Sequence, residues 1–118
     1  MRQFPKVKEL LGLIETSKKH DIELQSFEIY LLHENELEKG QIGYRYDKNK
    51  NSLMSGKKGD WQESWIVIGY DTDMGDPIFV DIDNPLHPIY TAEQGSEIWE
   101  PVCIARSIDE IMKQLKEI

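Results

Sequence analysis

This sequence has a single cysteine and no long apolar run, and these two features argue against a disulfide-stabilised protein and against a membrane-spanning one. A single cysteine, Cys103, cannot form an internal disulfide, which favours a protein that folds in a reducing cytosol. No apolar run approaches the about 18–20 residues that a membrane-spanning helix needs. The first six residues also lack the apolar stretch of a signal peptide. We therefore expect a cytoplasmic protein with no membrane partner.

Basic residues are almost absent from the second half of the chain. Between residues 60 and 110, twelve Asp and Glu residues stand against a single cation, Arg106, whereas residues 1–59 carry nine acids and eleven bases. The net charge of −8 therefore originates in one segment. A field of this sign repels nucleic acid and anionic lipid, and it attracts basic proteins or metal ions. We expect no nucleic-acid partner.

The remaining composition is typical of one folded domain. Hydrophobic residues make up 39% of the 118 residues and charged residues 31%, and three tryptophans are present. A chain of this length buries a core without disulfides or metals. We expect a single domain over residues 1–118, with the tryptophans packed in its core or against its sheet.

Two segments have the periodicity of amphipathic helices. Apolar residues recur at helical spacing from Phe4 to Ile14, which predicts a helix over residues 5–19. Near the C-terminus, Ser107 and Glu110 form a capping-box sequence, in which each side chain accepts a hydrogen bond from a backbone N–H at the helix start. The apolar stripe from Ile108 to Ile118 predicts that this second helix packs on the rest of the domain.

Most of the chain between these helices has the composition of β-strands. Six strands are predicted, over residues 26–32, 42–46, 65–70, 77–82, 88–91 and 102–105. The run at 65–70 is apolar almost throughout, which indicates a central strand covered on both faces. Cys103 lies in the last strand, where we expect a small core residue.

The connections complete a predicted α+β fold. A short helical turn is expected over residues 35–40, and residues 47–60 predict an irregular connection, either a solvated loop or a mobile contact loop. The expected architecture is a mainly antiparallel sheet of about six strands flanked by an N-terminal and a C-terminal helix.

Two acidic segments resemble catalytic or metal-binding motifs without matching them. Residues 71–76 place three carboxylates at alternating positions, but an EF-hand loop needs glycine sixth, whereas Gly75 is fifth. Residues 81–86 approach the aspartyl nucleophile motif of haloacid-dehalogenase phosphatases, but Pro85 stands where that motif has Thr or Val. The three histidines share no metal-ligand spacing, and no glycine-rich phosphate loop is present. We expect turns at both segments, no metal, no cofactor and no enzymatic activity.

Four short motifs, in the same order and spacing, resemble a known family. They are the run at 65–69 followed by a polar turn, Gly75-Asp76 leading into residues 77–81, Pro88-Ile89-Tyr90, and residues 104–107 opening the last helix. With looser agreement over residues 28–46, the chain resembles the SUKH superfamily of bacterial immunity proteins, which are related to fungal cell-wall-synthesis regulators. The region before the first strand is shorter than that family's, with one helix instead of two.

The resemblance implies a non-enzymatic immunity protein that binds and neutralises a cognate toxin, often a nuclease. An acidic sheet rim can fill the basic cleft in which a nuclease holds phosphates, through charge-assisted hydrogen bonds. Nine carboxylates are expected to be exposed and to form this partner-binding surface. They are Asp60, Glu63, Asp71, Asp73, Asp76, Asp83, Glu93, Glu97 and Glu100.

Three alternatives remain open from the sequence. The nine carboxylates can be merely solvated turn residues of an acidic protein. The domain can be an intracellular regulatory or scaffold module with a partner that is not a toxin. A small metal-dependent hydrolase would instead use the acids of the two motif-like segments, Asp71, Asp73, Asp76, Asp81 and Asp83. The sequence does not specify the oligomeric state.

Overall fold

The fold is α+β, as predicted. The computed structural model describes residues 5–95 and 97–116. Its elements are α1 Pro5–Ser17, β1 Asp21–Leu24, β2 Phe27–Leu31, α2 Glu34–Leu37, a 3-10 turn Lys39–Gln41, β3 Trp65–Asp71, β4 Pro77–Asp81, β5 Ile89–Thr91, β6 Val102–Ala105 and α3 Ile108–Lys116. Phe4 and Ile118, which were assigned to the helical stripes, lie outside the described residues. No helix within these ranges has the length and apolar character needed to cross a membrane.

The six strands form one antiparallel sheet in which sequence order and spatial order coincide. The sheet curls, and two glutamine side chains donate hydrogen bonds to backbone carbonyl groups of its two edge strands. Gln25, in the β1–β2 turn, donates from Nε2 to the carbonyl oxygen of Ile104 in β6 at 2.9 Å. Gln114 of α3 donates to the carbonyl oxygen of Glu23 in β1 at 2.8 Å. These bonds satisfy carbonyl groups on the two edge strands, which would otherwise invite pairing with another chain.

Both faces of the central strands are covered. On the first face, α1 and α3 pack their apolar stripes against the sheet, and Leu10 and Ile111 are fully buried there beside Ile66. On the second face, the connection over residues 42–64 lies over the sheet and buries Trp61 against Phe79. The prediction that β3 is a central strand covered on both faces is therefore confirmed.

Two predictions about strands are wrong. β1, which forms a hairpin with β2 through Gln25 and Ser26, was not predicted. Both turn residues have positive φ. A turn of this kind is usually recognised in a sequence by Asn-Gly or Asp-Gly, and neither dipeptide stands at this turn. The strand predicted over residues 42–46 does not form, because the Gly43 amide donates to the carbonyl of Tyr46 at 2.6 Å and closes a tight turn.

Cys103 also differs from its prediction, since it is exposed and not a core residue. It lies in β6, an edge strand that pairs only with β5. The adjacent Val102 is likewise exposed, so the apolar composition of this strand does not place its first half in the core.

Candidate functional site

The antiparallel order of the sheet separates its connections into two ends. The β1–β2, β3–β4 and β5–β6 connections lie at one end, here named the hairpin end and defined by residues 25–26, 72–76, 92–95 and 97–101. The β4–β5 connection and the start of β3 lie at the opposite end. Acidic residues that are close in sequence are therefore distributed between two distant surfaces.

Asp71 is buried, so the prediction that its carboxylate is exposed is wrong. Its side chain is 4% exposed, and Oδ1 accepts hydrogen bonds from the backbone N–H groups of Asp73 at 2.8 Å and Met74 at 3.4 Å. Gly75 completes the β3–β4 turn with φ of 75° and donates to the Asp71 carbonyl at 2.8 Å. The segment that resembles a calcium loop is thus a turn capped by its own aspartate.

Hydrogen bonds from Gln94, in the β5–β6 connection, hold that connection against the β3–β4 turn. The Gln94 backbone N–H donates to Asp76 Oδ1 at 3.1 Å, and its side-chain amide donates to the Gly75 carbonyl at 2.6 Å and the Tyr44 hydroxyl at 2.7 Å. Burial raises the pKa of Tyr44, and the nearby Asp76 carboxylate raises that pKa further. These bonds fix Asp76 and place Glu93, the residue before Gln94, beside the turn.

Three of the nine predicted carboxylates therefore lie together at the hairpin end. Asp73 and Glu93 are exposed there and Asp76 is half-buried, whereas Glu97 and Glu100 are exposed further along the β5–β6 connection, where the Trp99 N–H donates to the Gly59 carbonyl at 2.8 Å. Met74 lies at the tip of the β3–β4 turn between Asp73 and Asp76 in sequence, and the residue is 74% exposed. The hairpin end thus combines carboxylates with an exposed, flexible apolar side chain.

Asp83 and Glu63 lie at the opposite end of the sheet and Asp71 is buried, so the nine do not form one surface. Asp83 belongs to the β4–β5 connection at the opposite end, where its backbone N–H donates to Asp81 Oδ1 at 3.0 Å. Glu63 precedes β3 at the same end. Asp60 lies in the connection over the second face and accepts a hydrogen bond from the Ser55 hydroxyl.

A second acidic surface was not predicted from the sequence, because residues 1–59 are nearly neutral in sum. The β1–β2 hairpin buries Ile22 and Ile29 on its inner face. Its outer face carries three exposed carboxylates, those of Asp21, Glu23 and Glu28. We name this outer surface, together with Tyr30 and Tyr70, the hairpin face. The alternation in residues 21–24 would have revealed it had β1 been recognised.

A groove beside the hairpin face contains a hydrogen-bonded cluster of titratable groups. The Tyr30 hydroxyl donates to Glu36 Oε1 at 2.8 Å, and the His33 backbone N–H donates to the same oxygen at 2.9 Å. The His33 bond is the main cause that lowers the pKa of Glu36. Burial, assisted by Glu36, raises the pKa of Tyr30 to about 12. At neutral pH the carboxylate is therefore charged and the phenol is protonated.

The geometry does not assemble the acids of the hydrolase alternative. Asp71, Asp73 and Asp76 lie at or beside the β3–β4 turn, whereas Asp81 and Asp83 lie at the other end of β4. Within residues 5–95 and 97–116, no group of three or more His, Cys, Asp or Glu side chains is arranged to hold a metal ion.

Comparison with known proteins gives no family assignment. No family model, no curated protein and no solved structure matches this chain. The resemblance to the SUKH superfamily stays a prediction from short sequence motifs.

Proposed function

We propose that this chain is a non-enzymatic immunity protein that binds a basic toxin through its hairpin end and blocks the toxin's active site. The observation that carries the proposal is that Asp73, Asp76 and Glu93 lie together at one end of the sheet, where Gln94 links the two connections that carry them. A cationic cleft such as that of a nuclease is the complementary surface. The motifs that resemble the SUKH superfamily support the same class of function.

The hairpin end has the physical properties of a docking surface. The bonds from Gln94 to Asp76 and Gly75 hold the two connections together before a partner arrives, so less conformational entropy is lost on binding. Asp73 and Glu93 form no ion pair within the described residues and are free to accept charge-assisted hydrogen bonds. Met74 adds an exposed, adaptable apolar contact at the tip.

The test begins with capture of the partner. The tagged full-length chain is purified from its native host, and bound proteins are identified by mass spectrometry for the wild type, for Asp73→Lys with Glu93→Lys, and for Glu9→Lys. Glu9 is an exposed acid on α1, on the first face of the sheet, and its reversal is the matched control. We expect one basic protein to be retained by the wild type and the control and to be lost by the double variant.

Growth then distinguishes a toxin from another partner. The captured protein is expressed in cells with and without the chain. Arrested growth that the wild type restores and the double variant does not restore supports immunity. A partner that is harmless when expressed alone would contradict the toxin assignment and favour a regulatory or scaffold module. Equal capture by all three forms would contradict docking at the hairpin end.

A further inference from the structure

We propose that the hairpin face is a second protein-docking site, which binds an extended segment rich in lysine and arginine. The proposal does not depend on the function of the hairpin end, since different residues carry it. It follows from an uncovered part of the sheet, from two like charges at opposed positions, and from an adjacent exposed aromatic pair.

The sheet is covered on its second face only in part. Tyr44 and Trp61, from the connection over residues 42–64, pack together over Phe79 of β4. No layer from residues 5–95 or 97–116 covers the β1–β2 hairpin in this way, because Asp21, Glu23 and Glu28 on its outer face are all exposed. A partner can reach this part of the sheet without displacing any of the described elements.

The charges on the hairpin face oppose folding. Glu23 lies directly opposite Glu28 in the β1–β2 ladder, and like charges at directly opposed positions destabilise an antiparallel pair. Within the described residues neither carboxylate forms an ion pair. Lys19 lines the neighbouring groove and supplies one positive charge nearby. A bound cation between the two glutamates would relieve the repulsion, so the pair is better suited to a complex than to the free protein.

An aromatic pair lies beside these carboxylates. Tyr30 and Tyr70 face each other across β2 and β3 with ring centroids 5.1 Å apart and an interplanar angle of 28°. Tyr70 is 42% exposed, which is unusual for a large ring on a central strand. Aromatic faces attract guanidinium and ammonium groups, and they do so more strongly when carboxylates surround them.

Two grooves border the β1–β2 hairpin, and Tyr30 lines one of them. The first, of about 660 Å³, is lined by Asp21, Glu23, Glu28 and Thr72 and also by Ile22, Ile29 and Gln114. The second, of about 650 Å³, is lined by Glu15, Tyr30, His33, Glu34, Asn35 and Glu36. His33 Nδ1 lies 3.1 Å from Glu15 Oε1, and His20 Nδ1 lies 3.4 Å from Asp21 Oδ2, so both imidazoles are neighbours of these carboxylates.

The charge of the hairpin face selects an extended basic peptide over other ligands. In an extended chain, side chains recur every second residue on one side, about 6.6 Å apart, so successive basic residues can meet the carboxylates of the hairpin face. Nucleic acid is excluded because its phosphates would meet the carboxylates of both grooves. The occupant is therefore a lysine- and arginine-rich segment of a protein.

The test is an NMR titration of the isotope-labelled full-length chain with a short polyarginine peptide at low salt. We expect the largest shifts at the backbone amides of Glu23, Glu28, Tyr30 and Tyr70. Replacing Glu23→Gln and Glu28→Gln should weaken binding about tenfold or more, since two charges facing the peptide are lost. Replacing Asp73→Asn and Glu93→Asn removes the same charge at the hairpin end and should leave these shifts nearly unchanged.

Thermal unfolding separates this role from a loss of fold. The Glu23→Gln and Glu28→Gln variant should melt at a higher temperature than the wild type, because the repulsion is removed while binding is weakened. Shifts confined to residues 73–76, 92–95 and 97–101, or equal weakening by the two double variants, would overturn the proposal. Those outcomes would leave docking of a basic toxin at the hairpin end intact.

Discussion

Gln41 is a buried amide that completes the hydrogen bonding of β3. Its Oε1 accepts from the Val67 N–H at 2.9 Å, and its Nε2 donates to the carbonyl oxygens of Val67 and Leu37, both at 2.8 Å. The side chain therefore acts as a strand partner for β3 beyond the point where β2 ends. Only 5% of the residue is exposed, so water cannot replace these bonds.

We expect Gln41→Leu to lower the free energy of unfolding by about 2–4 kcal/mol, because two buried backbone groups of Val67 lose their partner. Urea denaturation measures the effect. Gln62→Leu is the control, since the Gln62 side-chain amide donates hydrogen bonds to two carbonyl oxygens in a partly exposed loop. Loss of these bonds should lower the free energy of unfolding by less than about 1 kcal/mol. An equal cost for the two substitutions would refute the role assigned to Gln41.

The pKa shifts of Tyr30, raised mainly by burial, and of Glu36, lowered mainly by the hydrogen bond from the His33 N–H, predict a pH dependence at both ends of the scale. Because folding raises the pKa of Tyr30 from 10.0 to about 12, its contribution to stability is complete below pH 10 and is lost as the pH rises through 12. Folding lowers the pKa of Glu36 from 4.5. The stability that the charged Glu36 carboxylate contributes is therefore complete above pH 4.5, and it is lost as the pH falls through the pKa that Glu36 has in the folded protein.

Tyr30→Phe should remove the alkaline step. Tyrosinate absorbance of the wild type should show one residue titrating near pH 12, and the variant should lack it. Tyr70→Phe, at the other ring of the stacked pair, should keep that step. If the step persists in Tyr30→Phe, the hydroxyl is not the group responsible.

At the scale of elements, Gly69 controls the pairing of β2 with β3. It lies at an irregularity in the β3–β4 register, and a Cβ atom at this position would contact the Tyr30 carbonyl oxygen of β2. That contact involves backbone atoms in the middle of the sheet, so a rotamer change cannot relieve it.

Gly69→Ala should therefore destabilise the fold by about 2 kcal/mol or more, by analogy with overpacked core positions. Gly12→Ala is the opposite case, because Gly12 lies within α1 with no atom near its Cβ position, and it should stabilise by about 0.5–1 kcal/mol. Thermal melting of both variants provides the comparison. A neutral Gly69→Ala would show that β2 and β3 separate at little cost.

The predictability of each element followed the strength of its local signal. Both long helices and β3 to β6 were predicted because dense apolar patterns define them. The Ser107 hydroxyl accepts from the Asp109 N–H at 3.0 Å, as its capping sequence predicts, although Glu110 reaches back to the Arg106 N–H instead of to Ser107. The hairpin turn at Gln25 and Ser26 has no such signal, and β1 was missed with it.

At the scale of the whole molecule, the position of a charge in the sequence did not predict its position in space. Asp73 and Asp83 are ten residues apart in one acidic segment, yet β4 carries them to opposite ends of the sheet. Glu23 and Glu28 come from the nearly neutral half and form an acidic surface through the β1–β2 ladder. Segment charge thus drew attention to Asp73, Asp76 and Glu93 at the hairpin end but predicted neither the separation of Asp83 nor the hairpin face.

The rate of association with the captured partner tests the central claim most directly. Stopped-flow mixing measures this rate for the wild type, for Asp73→Lys with Glu93→Lys, and for the Glu9→Lys control. If an acidic hairpin end steers a basic protein, the wild-type rate constant should fall about tenfold or more between about 50 and 500 mM salt. The double variant should associate slowly at low salt, and the control should follow the wild type. A rate constant that does not change with salt, or an equal loss in the double variant and the control, would contradict docking through this end.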